Sequence, residues 1–93
     1  MINKNILNIR KKLDNLDNSF LNLIKKRTTL VQKVLENKQF KKDIIDKKRI
    51  KLILNTIRKK SKSKNIDPKI TNKIWKAMIR AYIDYEFRNF KRK

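Results

Sequence analysis

Residues Leu21 to Lys33, LNLIKKRTTLVQK, carry an apolar stripe through Leu23 and Leu30 that is interrupted by Arg27, where the period asks for leucine. An arginine there has two readings. It can set the register of a coiled coil at some cost in stability. Or it can wait for an anion whose carboxylate supplies the bidentate partner a buried guanidinium needs. Glu86 poses a related question. Trp75, Ile79, Tyr82 and Glu86 are spaced four, three and four, so a carboxyl shares a helical face with three large side chains. Either it pairs with one of many nearby cations, or desolvation favours the neutral form that can donate a hydrogen bond. Lys38 stands eleven residues after Arg27 on nearly the same helical face, and Arg10 stands seventeen residues before it. Seventeen helical residues span about 25 Å. One small ligand therefore cannot touch both arginines of one chain, and a pocket lined by both has to be built by two chains. The chemistry open to this set is the gripping of a small anion and the placement of hydrogen-bond donors.

Composition removes most other chemistries. The chain has 93 residues with no Cys, no His and no Gly. Thiolate and imidazole metal ligands, Ser-His-Asp and Cys-His nucleophile systems, and Gly-rich phosphate loops are all excluded. No metal site is expected. The formal charge of +20 invites a nucleic-acid reading, because clustered cations release counterions on binding phosphates. Yet lysines outnumber arginines 21 to 7 in a chain also rich in Ile and Asn, so much of this charge reads as solvated surface, and nucleic-acid binding is the less favoured class. In such a chain an Arg hints at a need for its planar fork. The opening MINKNILNIRKK lacks the apolar run of a signal peptide, and no window approaches a membrane span. The expectation is one cytoplasmic domain over residues 1–93, without membrane contact.

The elements that must position these residues are helices. Ile6, Ile9, Leu13, Leu16, Phe20, Leu23, Leu30 and Val34 fall on alternating steps of three and four, with Arg27 filling the gap. That is a heptad seam. With no Pro or Gly between residues 4 and 38, it predicts one helix of about 50 Å, which wants a partner along its length. Residues 39 to 45 read as a loop. Asp46 can cap a second helix with Ile50, Ile53, Leu54 and Ile57 buried, fraying in KKSKSKN, Lys59 to Asn65. Asp67-Pro68 starts a third helix, running to about Phe90, with Asp at the N-cap and Pro at the first helical position. Its flanks are Ile70, Ile74, Ala77, Met78 and Ala81 on one side and Trp75, Ile79, Tyr82 and Glu86 on the other. The class is all-α.

The stretches IRKKLDNLDNSFLNLIKKRTTLVQKVLENK, IIDKKR and NIDPKITNKIWKAMIRAYIDYE together resemble the all-helical chorismate mutase family, over nearly the whole chain from Ile9 to Glu86. The joint signature is Arg-x6-Asp, Arg-x10-Lys, Asp-x2-Arg at the second helix and Ile-Asp-Pro at the third. The resemblance implies an intertwined homodimer of three-helix chains, with each site enclosed mostly by one chain and completed by the long helix of the other. It implies a small dicarboxylate substrate and no cofactor. Arg27 and Arg10 of the opposite chain would hold the two carboxylates of chorismate, and Arg49 would help bind one. Lys38 and residue 86 would hydrogen-bond the ether oxygen, and Asp46 would sit beside the ring hydroxyl.

Three positions depart from the mutase pattern. Ile50 stands where a Glu is typical, Tyr82 where a Ser is common, and Glu86 where Gln is usual. Ile50 and Tyr82, the latter within AYIDYE, look more like the isochorismate pyruvate-lyase branch of the same fold, which gives the alternative reading with isochorismate as substrate. A glutamate at 86 must be protonated to donate, so activity is expected to fall as pH rises. The alternative outside this fold is a non-catalytic basic coiled-coil protein that binds nucleic acid, for which Arg27→Leu would cost no function.

Overall fold

The computed structural model describes residues 3–91. Its elements are α1 (Lys4–Glu36), a short 3-10 turn (Lys41–Ile44), α2 (Lys47–Ser63) and α3 (Pro68–Asn89). Among the described residues there is no strand. The all-α class, with three helices and a long first one, is therefore observed. The chain divides into two compact units, one ending at Val31 and one beginning at Gln32.

The first unit is helix alone. Asn3 caps it: its Oδ1 accepts from the Ile6 N–H at 2.9 Å, and its carbonyl accepts from Leu7 at 3.2 Å. Thr28 and Thr29 turn their hydroxyls back onto the carbonyls of Ile24 and Lys25, at 2.8 and 3.1 Å. These bonds satisfy the two hydroxyls within the helix itself. The apolar seam residues are all exposed: Leu16 is 64% accessible, Leu23 62% and Leu30 60%. Arg27 and Thr28 are half-buried.

In the second unit α2 packs on α3, and the turn Lys41–Ile44 packs on α3 as well. Leu35 and Ile44 are buried, and the expected face of Ile50, Ile53, Leu54 and Ile57 is half-buried. The third helix begins as its sequence signals: Asp67 Oδ1 accepts from the Lys69 N–H at 2.9 Å, with Pro68 at the first position.

Two expectations are corrected here. The first helix stops at Glu36, so Lys38 lies beyond it; Asn37 and Lys38 close its last turn onto the carbonyls of Val34 and Leu35. The second helix does not fray at Lys59 but continues to Ser63. The reason is a buried polar contact: Ser61 Oγ lies 2.7 Å from Thr71 Oγ1 and donates to the Ile57 carbonyl at 2.6 Å. Directly after it, Asn65 adopts φ 58°. Ile66 bonds back to the Ser61 carbonyl at 2.8 Å, and Asn65 to the Lys62 carbonyl at 3.2 Å. This is a Schellman closure. In a chain without glycine, Asn takes the left-handed position because its short polar side chain tolerates it.

Candidate active site

The helix α3 delivers three consecutive side chains to the last turns of α1 and the segment that follows it. Tyr85 Oη accepts from Gln32 Nε2 at 2.6 Å, Glu86 Oε1 accepts from Lys38 Nζ at 3.0 Å, and Lys41 Nζ sits 5.9 Å from the Phe87 ring centroid. Successive helical residues point about 100° apart, so residues 32 to 41 wrap part of the circumference of α3. Lys38 is thereby fixed although no helix carries it.

The Lys38–Glu86 pair is secluded from solvent. Their side chains are 18% and 8% accessible. A carboxylate taken out of water needs a partner, and here the partner is an ammonium with two further protons to offer. Of the two readings of Glu86, the free chain adopts the ion pair. Tyr82 stands one turn before Glu86 on α3 and is half-buried, as residues four apart on one helical face should be.

Asp46 is the N-cap of α2, its Oδ1 accepting from the Arg49 N–H at 3.0 Å. It lines the same cleft as Lys38. Arg49 is exposed on the first turn of α2. Ile50 belongs elsewhere: it lines a groove of about 400 Å³ with Leu54, Ile79 and Ile83. The structure thus brings Lys38, Glu86 and Asp46 to one end of the second unit and turns Ile50 to an apolar groove between α2 and α3. Arg10, exposed, and Arg27, half-buried, lie on the first unit, about 25 Å apart along one helix, so they do not converge within one chain.

Sequence reasoning missed Gln32 and Tyr85, whose bond joins residues 53 apart. It also missed Lys42, Lys47 and Lys48, which line the cleft beside Lys38. No periodic signal marks a Gln on a helix end for a Tyr on another helix. Among the described residues no group of three His, Cys, Asp or Glu could hold a metal ion, and no helix is long and apolar enough to cross a membrane.

Comparison with known proteins gives two matches in agreement. The family described as chorismate mutase type II matches residues 9–87. A chorismate mutase of Methanocaldococcus jannaschii is 42% identical over 80 residues, covering 85% of this chain and 80% of the relative. No solved structure matches the chain.

Proposed function

The chain belongs to the chorismate mutase type II family, and from that premise we propose how its residues carry the reaction. The activity is that of a chorismate mutase, the rearrangement of chorismate to prephenate in aromatic amino-acid biosynthesis. The reaction is an intramolecular pericyclic shift: the C–O ether bond breaks as a C–C bond forms, and no proton, nucleophile or redox partner is required. A protein without His or Cys is suited to it. The enzyme has to hold the reactive conformer and place donors where negative charge grows on the ether oxygen.

In this reading Lys38 is the donor to the ether oxygen, and the carrying observation is its ammonium, secluded and held at 3.0 Å by Glu86. Glu86 shares the task by placing its carboxyl beside the same oxygen and holding Lys38 there. Arg27 of one chain and Arg10 of the other grip the two carboxylates, with Arg49 assisting. Asp46 faces the ring hydroxyl, and Tyr82 bounds the ring. The active form is a homodimer, and the single domain over residues 1–93 is completed by the second copy. Support comes from the apolar stripe of α1, whose Ile9, Leu13, Leu16, Leu23 and Leu30 are all more than half exposed. A contiguous exposed stripe of this kind marks an association surface.

The decisive experiment is complementation. Arg10→Ala and Arg27→Ala are each expected to be inactive, because each removes one guanidinium from both sites of a dimer. Unfolded together in equal amounts and refolded, they form mixed dimers with one doubly altered and one intact site, restoring about a quarter of wild-type activity. No recovery after confirmed subunit mixing would sink the shared site. Product identification with chorismate and isochorismate supplied separately tells mutase from lyase.

Glu86 yields a second test. A hydrogen-bonding role at the ether oxygen predicts that Glu86→Gln, whose amide always carries donor protons, turns over at least as fast as wild type. If the variant is slower than wild type, Glu86 instead acts as a carboxylate that orients Lys38.

A further inference from the structure

The cleft beside Lys38 holds more positive charge than the proposed chemistry uses. It measures about 590 Å³ and, besides Lys38 and Asp46, is lined by Lys42, Lys47, Lys48 and Asp43. The three additional lysines are exposed, and among the described residues none has an ion-pair partner. Each of the two aspartates gives one oxygen to backbone: Asp43 Oδ2 accepts from the Phe40 N–H at 3.3 Å, and Asp46 Oδ1 from the Arg49 N–H at 3.0 Å. Lys42 is steadied over the Phe40 ring, 5.5 Å from its centroid. From Lys38 to Lys51 the chain carries seven cations and two carboxylates.

A concave wall of like charges raises the local concentration of an oppositely charged solute. The cleft is open to solvent, and its volume of about 590 Å³ admits a small solute, whereas a nucleic acid would follow an extended stripe of cations along a surface. We propose that Lys42, Lys47 and Lys48 form an outer capture site that draws the dicarboxylate substrate toward Lys38, raising kcat/KM while taking no part in the rearrangement. This rests on the mutase reading above.

The test is steady-state chorismate consumption by the full chain at low and at high salt. The triple variant Lys42→Gln, Lys47→Gln, Lys48→Gln is expected to lose about tenfold in kcat/KM at low salt with kcat unchanged, and under about threefold at high salt, where screening is strong. Lys59→Gln, Lys60→Gln, Lys62→Gln removes the same charge about 18 Å further along α2 and should change kcat/KM less than about twofold. Replacing the three cleft lysines by Arg should preserve it. An unchanged kcat/KM in the cleft variant, or an equal loss in the distal one, overturns the capture site and leaves the mutase standing. A wild type that does not consume chorismate overturns both. Should the cleft variant lose its helical circular dichroism, the wild type decides: kcat/KM insensitive to salt refutes capture.

Discussion

Arg27→Leu is expected to lower kcat/KM for chorismate by about a thousandfold or more while raising the melting temperature. Two charge-assisted hydrogen bonds to a carboxylate, each worth about 2 kcal/mol, together amount to about that factor. The stability change has the opposite sign. Leucine continues the stripe through Leu23 and Leu30, and exchanging a charge that a second copy would bury for an apolar side chain of similar bulk is often neutral or stabilising, by about 1–4 kcal/mol. Kinetics and thermal melting on one preparation check both. Retained turnover would return Arg27 to a register-setting role. Lost turnover with a lowered melting temperature would mean that the guanidinium is structural. The nucleic-acid alternative predicts no functional loss at all.

Lys38→Met is expected to lower kcat by about 10²–10³, the usual cost of removing one donor from a developing oxyanion. It also strands Glu86, which is 6% accessible and accepts from Lys38. Removing one partner of a secluded pair destabilises, here by about 2 kcal/mol, since Lys38 keeps some contact with water. Activity loss alone is therefore ambiguous. The double variant Lys38→Met, Glu86→Gln removes both charges and should recover most of the melting temperature without recovering turnover. If it regains near-normal kcat, Lys38 is not the donor to the ether oxygen.

These predictions rest on features that were unequally visible in the chain. The helices were legible because their causes are local. Heptad spacing, Asp46 and Asp67 as caps, and Pro68 at a first helical position act within a turn or two of backbone, and each is found where expected. Arg27 and Glu86 were legible as anomalies, polar residues at positions whose period asks for apolar ones. The third helix marks the limit. It offers two apolar flanks, and the one through Ile70, Ile74, Ala77, Met78 and Ala81 is exposed except at half-buried Met78, whereas Trp75, Ile79, Tyr82 and Glu86 turn inward. Periodicity gives a stripe its direction and leaves open which stripe meets a neighbour.

The sequence by itself determined where helices begin, that α1 carries more apolar surface than one chain can cover, and that two arginines on it stand too far apart to share a ligand. Tertiary structure alone decided which side chains meet. Gln32 with Tyr85, Lys38 with Glu86 and Ser61 with Thr71 are separated by 53, 48 and 10 residues. Such pairs depend on how helices rotate and slide against each other. That is set by the summed burial of many side chains, so no single residue announces its partner.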